Sequence, residues 1–154
     1  MLIEMKSPAF KEKGKEQLPI IFKEGLNVVL GKNDGAMSIG KSSALLAIDF
    51  VFGGDTYVKS DDVKQEGNHS IFFVFEFNGI RYYFERNTGD SDTFYICDHR
   101  TDKTYTKTEF AGWLKVNYNM DFAEISFRKA LSSFFRIYGK KKHDELNPLQ
   151  GIPG

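Results

Sequence analysis

The chain contains a single cysteine, Cys97, so no internal disulfide can form and a reducing compartment is expected. It also lacks net charge: 21 basic residues balance 21 acidic ones, so no whole-chain basic field draws it to nucleic acid. Only a local patch could serve that purpose. No apolar run approaches the length needed to span a bilayer, and Met1-Leu2-Ile3-Glu4-Met5-Lys6 lacks the charged and long apolar regions of a secretory signal. A cytoplasmic protein without a membrane partner is the expectation. His69, His99 and His143 are scattered without metal-ligand spacing and read as surface histidines. Cys97 reads as a small core residue in a strand rather than as a nucleophile. There are no internal repeats, and the run Lys140-Lys141-Lys142 reads as solubilising.

Aromatic residues, by contrast, are abundant and concentrated between Phe72 and Tyr105, which favours strands there. At 154 residues the chain suffices for one compact domain and is too short for two. Residues 1–138 are expected to form it, with 139–154 as a flexible tail. Met1 to Met5 reads as a first strand and Lys11 to Gln17 as a polar loop. Ile20-Ile21-Phe22 and Leu26-Asn27-Val28-Val29-Leu30 read as antiparallel strands around Lys23-Glu24-Gly25, whose glycine suits a left-handed position. Gly53-Gly54 would end a first helix, and Lys59 to Asn68, including Asp61-Asp62, reads as a solvated polar segment.

The sharpest local expectation follows. Ile71 to Phe77 and Ile80 to Arg86 flank Asn78-Gly79, the favoured pair for a type I′ turn. That turn sets Phe77 opposite Ile80, Phe75 opposite Tyr82 and Phe73 opposite Phe84, one aromatic face toward the core. On the other face Glu76 meets Arg81 as an exposed ion pair, beside Val74 and Tyr83. Phe94 to Cys97 and Thr104-Tyr105-Thr106 read as further strands, turning at His99 to Asp102. Thr108 reads as the cap of a helix that puts Phe110, Trp113 and Leu114 on one face. A last helix is expected from Ala123 to Tyr138, with Phe127, Leu131, Phe134 and Phe135 as its apolar stripe. Arg128 and Arg136 lie near that stripe and read as surface-paired, with phosphate contact as the alternative.

The segment Gly35-Ala36-Met37-Ser38-Ile39-Gly40-Lys41-Ser42 fills every fixed position of the phosphate-binding pattern G-x-x-x-x-G-K-[ST]. Before it stands the apolar stretch Leu26–Leu30. After it, Ala44, Leu45, Ile48, Val51 and Phe52 recur at helical spacing. A strand, a glycine-rich loop and a helix direct loop amides and the positive helix end at one point. Gly35 and Gly40 allow a close backbone approach, and Gly35, Ser38, Ile39 and Gly40 would contribute to the phosphate cradle. Lys41 brings a compact ammonium to the β- and γ-phosphates, and Ser43 can add a hydroxyl toward an α-phosphate. The Ser42 hydroxyl can join the shell of a Mg²⁺. The bland alternative is a Gly/Ser loop capping an ordinary amphipathic helix.

These features resemble the N-terminal half of an ATPase head of the SMC, RecN and RecF class, the coiled-coil branch of the ABC-type ATPases. Phe22-Lys23-Glu24-Gly25-Leu26-Asn27-Val28-Val29-Leu30-Gly31 is similar to the lead-in of those heads. Gly40 to Phe50 resembles their loop-to-helix segment, and Ile80-Arg81-Tyr82-Tyr83-Phe84-Glu85-Arg86 their antiparallel strand ending in arginine. The resemblance implies an α/β fold: a P-loop NTPase-like partial ABC-ATPase head with an antiparallel β-subdomain. It further implies ATP and Mg²⁺ as cofactors, a second head engaged as a dimer on ATP binding, and association with DNA. Asn33 would match the asparagine of the family's loop opening. Gly31 and Gly35 compete for the first loop position, so the loop is four residues longer than is usual there.

Other family parts are missing from the sequence. No Leu-Ser-Gly-Gly signature occurs. Leu45-Leu46-Ala47-Ile48-Asp49 imitates the apolar run ending in aspartate, but it falls on the helix after the loop. Phe72-Phe73-Val74-Phe75-Glu76 falls in the hairpin and lacks the aspartate. Neither supplies the second carboxylate that orients Mg²⁺ or a base for water. Gln150 reads as an exposed tail residue, with a metal contact as the rarer alternative. The resemblance therefore implies a C-terminal half as partner, the chain being a truncated form or one half of a split head, inactive alone. Two other readings compete. One is a non-hydrolysing interaction module with a degenerate loop. The other, a small kinase or GTPase, suffers from the missing carboxylate and the lack of an N-K-x-D segment.

Overall fold

The structure, a computed structural model, describes residues 1–12, 14–28, 39–97, 103–120 and 126–132, with the backbone alone at 12, 39–42 and 132. Its centre is the hairpin of β5 (Ser70–Phe77) and β6 (Ile80–Asn87). Asn78 and Gly79 both have positive φ, 52° and 76°, the geometry of a type I′ turn. Phe77 pairs with Ile80, Phe75 with Tyr82 and Phe73 with Phe84, as the turn chemistry requires. Glu76 and Arg81 face each other across the pair, with Arg81 Nε 2.9 Å from Glu76 Oε2 at the surface. Beside them Val74 is buried and Tyr83 is exposed.

Four more strands extend this hairpin into a six-stranded antiparallel sheet of order β4-β1-β5-β6-β7-β8. They are β1 (Leu2–Lys6), β4 (Ile20–Ile21), β7 (Asp90–Ile96) and β8 (Thr104–Thr106). One face carries Leu2, Met5, Phe73, Phe75, Phe84 and Phe94, all buried. Helices α1 (Ile39–Val51) and α3 (Lys107–Asn117) lie against it, and α4 (Phe127–Ser132) packs on α3. Phe52, just past α1, meets Phe75 edge-on at 5.4 Å, and Phe110 of α3 meets Phe73 at 6.2 Å. Phe127 of α4 packs on Phe52 at 6.1 Å. Such edge-to-face aromatic pairs add about 0.5–1.5 kcal/mol each beyond the area they bury.

Several expectations need correction. Lys11 to Gln17 is not an open loop. Two short strands, β2 (Lys11–Glu12) and β3 (Lys15–Glu16), pair there, with Gly14 at φ 78°. In that register Lys11 stands opposite Glu16, a pairing of opposite charges that offsets their poor strand propensity. Within the polar stretch after Gly54, a 3₁₀ turn (Thr56–Lys59) precedes a short helix, α2 (Asp61–Glu66). Ser60 accepts from the Val63 amide at 3.4 Å, so Asp61 and Asp62 stand in a first helical turn rather than a loop. Strand β7 starts at Asp90, ahead of the aromatic stretch, because pairing of Asn87 with Asp90 draws its polar start into the sheet. Cys97 lies just beyond β7 and is exposed, so it is no core residue.

The expected strand Leu26–Leu30 is the larger correction. Leu26, Asn27 and Val28 belong to no strand, and Val29 and Leu30 lie outside the described residues. The Asn27 side chain accepts from the Lys23 amide at 2.9 Å and donates to the Lys23 carbonyl at 2.8 Å. With Gly25 at φ 81°, this folds residues 23–27 into a turn instead of a hairpin. Leu26 is 89% and Val28 64% exposed, an apolar stretch with no neighbouring strand among the described residues to bury it. The described architecture is thus α/β in composition with an antiparallel sheet, which does not by itself show a P-loop NTPase fold.

Helix α3 is capped by Thr106, two residues before the expected Thr108. Thr106 Oγ1 accepts from the Glu109 amide at 3.3 Å, and Glu109 Oε2 accepts from the Thr106 amide at 2.8 Å. This reciprocal box needs a Glu or Gln three residues on; Thr108 is followed at that spacing by Ala111, which cannot reciprocate. The bond from the Thr106 amide also holds the Glu109 carboxyl below its usual pKa range. Phe110 and Leu114 are buried as the helical spacing requires. The last helix is described only as α4, with Ser126 non-helical before it, and residues 123–125 and 133–138, the turn at His99 and the tail 139–154 lie outside the described residues. Thr106→Ala should cost about 1 kcal/mol of stability, whereas Thr108→Ala should stay within about 0.5 kcal/mol of wild type. Urea unfolding midpoints compared at equal slope check this.

Candidate functional site

Helix α1 carries most of the phosphate-binding pattern. It begins at Ile39, so Ile39, Gly40, Lys41 and Ser42 occupy its first turn and Ser43 follows directly. Gly35 and Ser38, also expected to hold phosphates, lie outside the described residues, as do Asn33 and Gly31. At the start of any helix the first backbone N–H groups lack an intrahelical acceptor. Here the charge arrangement adds to that. The first turn contains no acidic residue, and Lys41 places a cation in the turn that the helix dipole already makes positive. A polyphosphate would relieve both.

The opposite end of α1 shows the mirror arrangement. Its last turn has no basic residue, and it holds Asp49, a carboxylate at the negative end of the dipole. The compensating charges come from elsewhere in the chain. Gly53, at φ 97°, and Gly54 close the helix: the Gly53 amide donates to Phe50 O at 3.0 Å and the Gly54 amide to Asp49 O at 2.9 Å. Asp49 Oδ1 pairs with Arg128 Nη2 of α4 at 3.0 Å, while its Oδ2 is buried without a hydrogen-bond partner among the described residues. Arg128 thus takes the surface pairing expected for it. Asp49, on the helix and engaged by an arginine, does not stand as a second carboxylate for a metal. Glu76 is likewise held by Arg81 on the far strand pair.

Arg86 is the second compensating charge, and its side chain is fully buried. Its Nη1 donates to Phe50 O at 2.5 Å and to Gly54 O at 2.7 Å. Its Nε donates to Ser91 O at 2.8 Å, and Nη2 to Asp55 Oδ1 at 3.0 Å and also to Ser91 O. All five guanidinium donors are therefore used, which is the condition for burying this group. The plane lies between the rings of Phe50 and Phe94, 4.0 and 4.6 Å from their centroids. Phe94 stacks in turn on Phe110 at 3.9 Å, and Phe110 on Trp113 at 5.7 Å. Burial pulls the Arg86 pKa down to about 10, against the opposing pull of Asp55, so it remains a cation at neutral pH. Lys107 Nζ closes the network, 2.8 Å from Asp55 Oδ2 and 2.7 Å from Asp92 Oδ1.

The sequence reading gave no role to Asp55, placed Arg86 only at the end of a strand, and took Gly54 only as part of the helix end. A signal for Arg86 was present: it shares strand parity with Tyr82 and Phe84, so an alternating pattern sends it to the core. His69 is not a metal ligand. Its Nε2 lies 2.9 Å from the Tyr57 hydroxyl and its Nδ1 2.8 Å from Gly67 O. No group of three or more His, Cys, Asp or Glu able to hold a metal exists among the described residues. His99, Arg136, Lys140 to His143 and Gln150 lie outside them.

Comparison with known protein families and with curated proteins found no match for this chain. Its site is therefore argued from its own residues. A Cβ at Gly54 would overlap Asp49 Oδ2 and come within 2.8 Å of Arg128 Nη1. Gly54→Ala should accordingly destabilise by about 1–3 kcal/mol. In an Asp49→Ala background most of that cost should disappear, a coupling measurable by a double-mutant cycle of thermal unfolding.

Proposed function

We propose that the chain is the ATP- and Mg²⁺-binding N-terminal segment of an SMC-like ATPase head. One observation carries the reading: a helix that starts inside the G-x-x-x-x-G-K-[ST] pattern, with Gly40, Lys41 and Ser42 in its first turn and no acid there to satisfy its positive end. The donor set fits a nucleotide triphosphate. Amides of residues 39–41 and the Lys41 ammonium would hold phosphate oxygens, and Ser42 would join the shell of a Mg²⁺ otherwise supplied by phosphates and water. Bound there, Mg²⁺ neutralises phosphate charge. The absence of a cluster of acidic or imidazole ligands among the described residues is compatible with a metal that arrives with its nucleotide.

The partner would be the C-terminal half of such a head. Leu18, Ile21, Leu26 and Val28 are exposed along and beyond β4, which forms one edge of the sheet. A strand made by residues 26–30 would bury two of those side chains if further strands from that partner lay beside it. Hydrolysis would then depend on carboxylates that the described residues do not offer, with a second head joining on ATP binding and DNA as the substrate of the assembly. The cytoplasm is the compartment this reading implies. No helix among the described residues is long and apolar enough to cross a membrane. The rival reading, an interaction module with a degenerate loop, draws on the same exposed residues.

Thermal unfolding with and without Mg-ATP separates the two. At about a hundredfold excess over Kd, wild type should gain roughly 5–10 °C in Tm, and Lys41→Ala should gain little. Equal shifts in both proteins, or none in either, would favour the interaction module.

A further inference from the structure

We propose that Arg86 is the positioning residue of the phosphate site, setting from the far end of α1 where its first turn stands. The inference rests on the nucleotide reading above. Helix α1 is a thirteen-residue rod, and Lys41 and Phe50 lie about 14 Å apart along it. Ala47, Ile48, Phe50, Val51 and Phe52 press it onto the core. Apolar contact of that kind is not directional, so it holds the helix down while permitting it to slide or roll.

Arg86 supplies direction. Two bonds from one nitrogen, to Phe50 O and Gly54 O, grip carbonyls at two points of the helix end. The guanidinium cannot tilt freely, because its carbon lies over both the Phe50 and the Phe94 ring, 4.0 and 4.6 Å from their centroids. Nor can it shift in its own plane, since Ser91 O and Asp55 Oδ1 hold its other edge. Axial position and rotation of α1 are thereby referred to β6 and β7. The same charge sits on the negative end of the helix dipole, so it is complementary to an anion at the other end. A displacement of well under 1 Å at Gly40 to Ser42 would weaken convergence of the amides on phosphate.

A structural role alone would lower stability without touching affinity, so affinity is the readout. Calorimetry with Mg-ATP is performed well below the melting temperature of every variant, and wild type comes first. Absence of binding there overturns the nucleotide reading and this inference together. Given binding, Arg86→Lys keeps the charge but loses the planar five-donor fork, and Kd should rise about tenfold or more. Phe50→Leu, which removes one ring from the sandwich, should raise Kd about threefold. Leu114→Ala, a buried truncation on α3, should lower Tm while Kd stays within about twofold of wild type. A wild-type Kd in Arg86→Lys overturns the inference and spares the nucleotide reading, as does an equal rise in Leu114→Ala. If Arg86→Lys does not fold, Phe50→Leu decides, and an unchanged Kd in it overturns the inference.

Discussion

A buried guanidinium is the constraint on which this structure turns. Arg86 ties the end of α1 to β6 and β7, and its flat faces continue into the aromatic stack of Phe94, Phe110 and Trp113. Helix, sheet and second helix therefore meet on one cation. Removing such a group from water costs several kcal/mol, and the site is tolerable only because every donor finds an acceptor. The acceptors are mostly backbone carbonyls, held by elements that would themselves drift without the cation. The arrangement is mutual, and it specifies one packing of α1 on the sheet where a purely apolar contact would admit several.

Charge along α1 gives this packing its chemical sense. Both ends of the helix carry the sign that its dipole disfavours, Lys41 at the start and Asp49 near the finish. At the finish, Arg128 and Arg86 correct the imbalance from outside the helix. At the start, the first turn holds no acidic residue. That asymmetry of the two ends is the physical support for the proposed anionic ligand.

How much was legible in the sequence divides along physical lines. Asn78-Gly79 predicted not just a hairpin but its register, because a type I′ turn leaves the flanking residues no freedom. The same holds for Gly53-Gly54 and for the faces of α3, where local chemistry decides. The expected strand failed at residues 26–28 for the opposite reason. A strand buried on both sides is stabilised by neighbours, and its apolar letters say nothing about whether these are in the same chain. The cap of α3 was misplaced because two threonines compete and only reciprocity with Glu109 separates them. Arg86 was hidden by habit: its strand parity pointed inward, but partners for a buried cation come from residues 50, 54, 55 and 91, which the sequence does not juxtapose. At the site, position within α1 was readable, while the helix-end charges that bear on it were not.

The sheet order has a consequence for how the chain is made. Strand β1 takes its place between β4 and β5, and Leu2 lies beside Phe75. During synthesis β1 must therefore wait, for on the order of several seconds at typical ribosomal rates, until its principal neighbour β5 exists. Over the same interval Ile71-Phe72-Phe73-Val74-Phe75 arrives as a run of β-forming, uncharged residues. The hairpin closes on itself through two residues, but its free edge stays open until β1 returns. A nascent chain of this design depends on prompt docking of β1 to avoid sticking to its neighbours.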